Sequence, residues 1–599
     1  MLSFVLFMVP APWLLVPAAV AAAVSHPQDL EAFTDELMQR SMNEHHVPGA
    51  VVSIVRDGRI ALMKGYGYAD LERQAAANPY RTVFRLGSIS KSVTATAVMQ
   101  LYEEGLIDLH QDIRSYWPDV RLPDIVGQPV TLHHLLTHTA GLCESVFAVG
   151  RDRERQLPLS AALTRYLPSQ CRKPGVQIAY SNQGMSLAGY LVESKLSVPY
   201  EQAVQARIFQ PLNMNRSGFR LQESDPELAK SYSYENGAYS PLPYSYIHHL
   251  PAGALQSTAE DIAHYMLAHL QHGRYGETRI LQAETAALMH RTQFAAHTRM
   301  PGMAYGFYER YQNGLRLIEH DGSIDGFESY LYLIPSENTG IFIATNASGG
   351  AEVRERLIDG YLDRFYPVRQ AAAYDAKPAS VRELKQVDGY YLPNRSRLKG
   401  PLNLGQHLSA VRVQAVEDGV ITMRGERYRQ TEPGLFRHER SQEAIYVNAV
   451  QGTLALSSIP TMMYERERSA LYHPYLHIAI VLGLALVYPL QAVCAVPAWL
   501  VGLIRRRRPS FDWLGTLVSV LFVVYFLFVV SLPELLINEI PGWIYPVLYA
   551  PFLLLVVLAV RVAGNFVRKR PVAKLQVGAA ISTAIFVAYL YAWDFFRLI

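Results

Sequence analysis

Ser88 and Lys91 stand three residues apart in Ser88-Ile89-Ser90-Lys91, and on a helix that spacing puts a hydroxyl and an amine on one face. A lysine buried away from water loses its preference for the charged form, so its amine can take the serine proton and create a nucleophile. The N-terminus of such a helix also favours negative charge developing at the serine. Ninety-two residues on, Tyr180-Ser181-Asn182 supplies a phenol that can relay protons and an amide that can hydrogen-bond both Lys91 and a substrate carbonyl. His320-Asp321-Gly322-Ser323 follows, expected just before a strand, where a glycine lets a substrate approach the backbone closely. A donor N–H from that strand can complete an oxyanion hole with the N–H of Ser88. Taken together, these are the groups of a serine acyl-transfer enzyme. Each has an ordinary alternative: a serine helix cap with an exposed lysine, a helix-entry turn, a strand-edge glycine. The S-x-x-K pattern even recurs from Ser396 to Lys399, but only Ser88 is followed by both partners.

The elements that must position these groups are legible around them. Val93, Val98, Leu101 and Leu106 give an apolar stripe after Ser88, and Gly105 marks a helix end. A second amphipathic helix is expected over 184–197, and a first one, capped by Asp29, up to about Asn43. The runs 50–55 and 60–65 flank Asp57-Gly58 and read as a hairpin; 330–334 and 340–345 read as two more strands. Strands at both ends with helices between predict one antiparallel sheet flanked by a helical region. After a linker at 369–384, residues 385–470 read as a small β domain of barrel type with a spacer or substrate-shaping role.

At 599 residues the chain needs more than one folded unit. Its net charge of +3 conceals ten Lys and Arg against four Asp and Glu beyond residue 470, so the preceding part is slightly acidic. That excludes a nucleic-acid footprint. Residues 1–25 are apolar, end in Ala21-Ala22-Ala23-Val24-Ser25, and read as a signal sequence, cleaved near Ala23 or Ser25 or retained as an anchor. Four uncharged stretches at 474–504, 513–532, 541–560 and 575–593 each reach the length of a membrane-spanning helix. The basic residues cluster at 505–508 and 561–574, which by the positive-inside rule are cytoplasmic. The chain therefore reads as a signal sequence (1–25), a catalytic domain (26–368), the linker (369–384), the small β domain (385–470) and four transmembrane helices (471–599). The bilayer is a partner, and the catalytic domain lies on the extracytoplasmic side of a cell membrane. Cys143 and Cys171 can pair, stabilising by roughly 3 kcal/mol, while Cys494 sits in an apolar stretch. No zinc-like spacing occurs, and no metal or cofactor is called for. His133, His134 and His138 share no face and read as structural. Tyr232, Tyr234, Tyr239, Tyr244 and Tyr246 form an aromatic loop that either lines the cleft or packs on the surface.

With these residues in view, the chain resembles the serine β-lactamase and penicillin-binding-protein superfamily, on its class C β-lactamase, esterase and DD-peptidase side. The resemblance covers roughly residues 29–367. It is carried by residues 84–91 (FRLGSISK), 135–142 (LLTHTAGL), Tyr180 to Asn182, 251–258 (PAGALQST), His320 to Gly322 and Ile324 to Phe327. It implies an α/β sandwich of the β-lactamase/transpeptidase type, with Ser88 forming the acyl-enzyme and Lys91 and Tyr180 acting as base and proton relay. Asn182, His320, Gly322 and Ser323 would bind or position a small-molecule or peptide substrate. Many β-lactamases carry lysine and threonine where this chain has His320 and Asp321, and a carboxylate there would repel the carboxylate of a β-lactam. The expectation is an ester, amide or peptide hydrolase and a poor β-lactamase. The competing reading is a catalytically weak penicillin-binding-like protein that binds peptidoglycan or peptides and scaffolds or signals through its membrane helices. Oligomeric state is not legible.

The topology is open to a direct check. Reporter fusions after Arg508 and after Ile599 should report opposite compartments; matching compartments would mean that a span is miscounted.

Overall fold

A computed structural model describes residues 27–117, 128–143, 149–150, 157–167, 169–220, 224–368, 378–394 and 409–467, with isolated helical residues between 504 and 588. The expected signal sequence, most of the linker, the second S-x-x-K at 396–399 and, apart from those isolated residues, the four apolar stretches lie outside the described residues. Among the described residues no helix is long and apolar enough to cross a membrane.

The seven strands of the main sheet run, in spatial order, Tyr308–Gln312, Leu315–Ile324, Phe327–Ile334, Thr339–Thr345, Gly49–Arg56, Arg59–Asp70 and Ala75–Ala76. All pairings are antiparallel, and the register Ala50 to Thr345 joins the first strand of the chain to the last of the sheet. Alternation along Gly49–Arg56 serves two cores. Val51 and Val55 face one, while Ala50, Val52 and Ile54 face the other. The second core is closed by the helices Pro27–Glu44 and Gly350–Phe365 through Leu37, Met38, Leu357 and Tyr361. With both faces covered, Phe327–Ile334 and Thr339–Thr345 are buried throughout, which explains the apolar runs 330–334 and 340–344 within them. Asp29 lies in the first turn of Pro27–Glu44 rather than capping it.

The helix Ser90–Glu103 is not the surface helix that a stripe suggests. Every residue from Ser90 to Leu101 is buried, because it runs through the middle of the helical region. Its threonines satisfy themselves against neighbours: Thr94 Oγ1 donates to Pro251 O at 2.6 Å. Gly105, at φ +71°, ends it as expected. The second helix begins at Asn182 and runs to Leu196. His320 to Ser323 lie inside the strand Leu315–Ile324 rather than before it.

The strand Phe84–Gly87 pairs with Leu255–Ser257 and packs on the main sheet. Two glycines allow this. A Cβ on Gly322 would stand 2.0 Å from Leu86 O, and one on Gly87 (φ +50°) would stand 2.9 Å from Ser323 N. The glycine expected to admit a substrate thus admits the strand that delivers Ser88.

Downstream, Val381–Leu384 forms a short helix inside the expected linker, with a capping box between Ser380 and Glu383. Eight antiparallel strands from Gly389–Pro393 to Met462–Arg466 then close into a barrel. Val411, Val413 and Ala415 turn inward with Phe436, Ile445 and Leu456, while Arg412 and Gln414 face out.

Gly322→Ala should lower stability by about 1–3 kcal/mol, the usual cost of overpacking, and reduce turnover by pushing the Ser88 strand away. Thermal unfolding and kcat check this; an unchanged Tm would contradict it.

Candidate active site

Ser88 occupies the turn between Phe84–Gly87 and Ser90–Glu103 and is half-buried. The turn is tied by Ile89 N–H to Leu86 O (3.2 Å) and Lys91 N–H to Ser88 O (2.9 Å). Ser90 Oγ secures it further, donating to Gly87 O at 2.6 Å and accepting from Leu255 N–H at 2.9 Å. Ile89 holds the capping position and no side chain caps the helix, so Ser88 is not the cap. Lys91, fully buried, extends its Nζ to Ser88 Oγ at 2.9 Å and to Ala252 O at 2.6 Å. The same nitrogen lies 4.8 Å from the centre of the Tyr180 ring.

Tyr180, 6% exposed, precedes Ser181, whose hydroxyl accepts the Gly184 N–H at 2.9 Å and caps the helix that Asn182 opens. His138 supports it from behind. Its ring lies 4.3 Å from the Tyr180 ring, its Nδ1 accepts the Ser181 N–H at 3.1 Å, and its carbonyl accepts the Ala179 N–H at 2.8 Å. That role places His138 in the left-handed region at φ +56°. His138 and the Ala252 carbonyl are the participants that the motif reading left without a role. His138 lies forty-two residues before Tyr180 on a separate element, so no periodicity links them.

The third wall is the strand Leu315–Ile324. His320 is 1% exposed, its ring 6.3 Å from that of Tyr180, and its Nδ1 donates to Asp321 O at 2.6 Å. Burial drives its pKa down to about 4; Asp321 opposes this and Lys91 adds to it. The imidazole is therefore neutral at pH 7. Asp321 corrects an expectation. Its carboxylate is not a lone charge: it faces Arg354 on the helix Gly350–Phe365 (3.6 Å) and accepts from Tyr308 Oη at 2.6 Å. Burial, the largest single influence, would raise its pKa, but Arg354, His320, the Tyr308 hydrogen bond and Lys91 together outweigh it and hold the carboxyl below its ordinary value. Ser323 Oγ donates to Glu328 at 2.6 Å, and Glu328 also meets Arg354 at 3.3 Å.

The other candidates separate from this group. His133 bonds Tyr305 Oη at 2.8 Å, and His134 belongs to the capping box of Leu132–Leu136. Tyr232 is buried, Tyr234 and Tyr239 are exposed on a hairpin, and the Tyr244 ring lies 4.3 Å from the Arg85 guanidinium carbon. Cys171 is disulfide-bonded, on a segment that pairs with Leu142–Cys143. Among the described residues no group of three or more His, Cys, Asp or Glu is placed to hold a metal ion.

Residues 34–363 match the family described as Beta-lactamase. Protein flp of Staphylococcus aureus (strain N315) is 24% identical over 324 residues, covering 53% of this chain and 63% of that protein; the chain thus spans less than two thirds of that relative's length. Penicillin-binding protein 4 of Amycolatopsis lactamdurans is 28% identical over 365 residues, 57% of this chain and 91% of that one. The fold is similar to an octameric penicillin-binding protein homologue from Pyrococcus abyssi (TM-score 0.50, 24% identity, 73% of this chain and all of that one). It is also similar to SurE (TM-score 0.54, 20% identity, the same coverage).

Lys91→Ala and Tyr180→Phe should each give a folded protein with kcat reduced by about 100-fold or more, the usual worth of a positioned acid or base. Steady-state kinetics with circular dichroism decides it; near-wild-type turnover in both would remove them from the chemistry.

Proposed function

Because the chain belongs to the beta-lactamase family, we propose that it is a serine hydrolase working through an acyl-enzyme on Ser88. The observation that carries this reading is the buried Lys91 Nζ, held 2.9 Å from Ser88 Oγ and 2.6 Å from Ala252 O. Those two oxygens orient the amine, and its environment excludes water. Lys91 takes the Ser88 proton as Oγ attacks the substrate carbonyl. The N–H groups of Ser88 and Ser323 bind the oxyanion, and the leaving group departs with a proton relayed through Tyr180. Water then attacks the ester on Ser88, the same groups returning the proton to Oγ. Asn182 positions the substrate carbonyl.

The substrate is an ester, amide or peptide without an anionic group beside the scissile bond. His320 is neutral, and Arg354, the cation behind this strand, is engaged by Asp321 and Glu328. A carboxylate placed here lacks the charge-assisted hydrogen bond that a lysine would offer, worth roughly 1.5–3 kcal/mol. The chain is therefore a poor β-lactamase for want of a cation rather than through repulsion by Asp321.

We also place the enzyme on the outer side of a membrane, anchored by the apolar stretches beyond residue 470. Supporting this, Leu517, Val520, Leu521 and Val524 are helical and exposed, as are Leu553, Val556, Val557 and Val560. The stretches around them, 513–532 and 541–560, carry no charged residue and are long enough to cross a bilayer as helices.

A fluorophosphonate should label Ser88 in the wild type and nothing in Ser88→Ala. A neutral short-chain ester should exceed a chromogenic cephalosporin in kcat/KM by about 10- to 100-fold, and His320→Lys should narrow that gap. Efficient cephalosporin hydrolysis by the wild type would overturn the substrate reading; a label elsewhere would overturn the nucleophile.

A further inference from the structure

We propose that the barrel is a working part of the active site, in which Asn394 and Met463 are positioning residues for Tyr180. The run from Arg172 to Tyr180 belongs to no helix or strand, so its main-chain polar groups must find partners elsewhere. Gly175 N–H goes to Thr139 O at 2.8 Å and Ala179 N–H to His138 O at 2.8 Å, both within the catalytic domain. Ile178 is different. Its carbonyl accepts the Asn394 Nδ2–H at 2.6 Å, and its N–H is directed at Met463 Sδ at 3.4 Å. Both polar groups of the residue two before Tyr180 are thus satisfied by the barrel.

Three further contacts make this a built joint. Asn394 is 1% exposed and directly follows the strand Gly389–Pro393; Met463 is 2% exposed and lies on the closing strand Met462–Arg466. At the start of the same run, Arg172 Nε pairs with Glu465 at 2.9 Å, with both side chains largely buried. Ile178 packs with Met303, Tyr308, Ala455 and Met463 in one apolar cluster that spans the two domains. Tyr308 carries the joint to the opposite wall, because its hydroxyl also accepts the Asp321 N–H at 3.0 Å, next to His320. One barrel face therefore braces the segment holding Tyr180 and the strand holding His320. Sulfur is a weak acceptor, so Asn394 carries more of the hydrogen bonding and Met463 more of the packing.

The inference rests on the serine acyl-transfer reading, and its test keeps the two apart. The full chain is made as wild type, Asn394→Leu, Met463→Leu, Tyr180→Phe and the double variant Asn394→Leu/Tyr180→Phe, with Arg429→Ala as a control on the barrel's exposed side. Ser88 labelling and ester turnover by the wild type establish the acyl-transfer reading; their absence removes that reading and this inference with it. Given a working wild type, Asn394→Leu should lower kcat by about tenfold, a part of the roughly 100-fold that proton relay contributes, with KM nearly unchanged. Because Asn394 acts through Tyr180, its substitution should cost almost nothing further in the Tyr180→Phe background. Arg429→Ala should match the wild type. Met463→Leu keeps the volume but removes the sulfur, and should show a smaller fall of the same kind; it carries the test alone should Asn394→Leu not fold. Wild-type kcat in folded Asn394→Leu, or a loss that multiplies fully with Tyr180→Phe, would overturn the positioning role while leaving the reaction itself standing.

Discussion

The site depends on keeping one amine dry beside one hydroxyl. Lys91 is fully buried, and its nitrogen bonds Ser88 Oγ and Ala252 O. A buried amine is unfavourable unless its N–H groups are met, so the short helix Leu250–Gly253 that offers Ala252 O is as necessary to Lys91 as the serine is. Much of the surrounding architecture can be traced to this requirement. The helix Ser90–Glu103 sits at the centre of its domain because the amine must be shielded on every side. The glycine contacts at Gly87 and Gly322 bring the serine strand hard against the sheet, with Gly87 packed on the backbone of Ser323.

The cleft walls are built by elements that are far apart in the chain, and their support comes from different directions. Tyr180 leans on His138 and, through Ile178, on the barrel. The strand carrying His320 is held from behind by the Asp321–Arg354–Glu328 group. This arrangement pairs the Asp321 carboxylate with Arg354 and leaves a neutral imidazole toward Tyr180. In the proposed function, substrate preference follows from the absence of a lysine at His320 on this strand.

How much of this could be read beforehand depends on the range of the interaction. The pairing of Ser88 with Lys91 is a three-residue relation on a helix and is visible from spacing alone. The same holds for the Asp57-Gly58 hairpin and for the alternation of Val411, Val413 and Ala415 in the barrel. Burial on all sides is less legible. The apolar residues of Ser90–Glu103 suggest a stripe because Thr94 and Thr96 are polar, yet both are buried with partners. Side-chain direction within His320-Asp321 is not legible from the motif itself, because it depends on the pair lying inside a strand, where neighbouring side chains alternate. Contacts between Asn394 and Ile178, or Arg172 and Glu465, cross more than two hundred residues. Nothing local in the chain announces them.

The central claim is that Ser88 carries the acyl group under the control of Lys91. Its most direct measurement is intact and peptide mass spectrometry of the enzyme quenched during turnover of a slowly hydrolysed ester. The account predicts an acyl adduct on the peptide containing Ser88 that accumulates in the wild type and is absent from Lys91→Ala. Turnover with that peptide unmodified, or an equal adduct without Lys91, would contradict it.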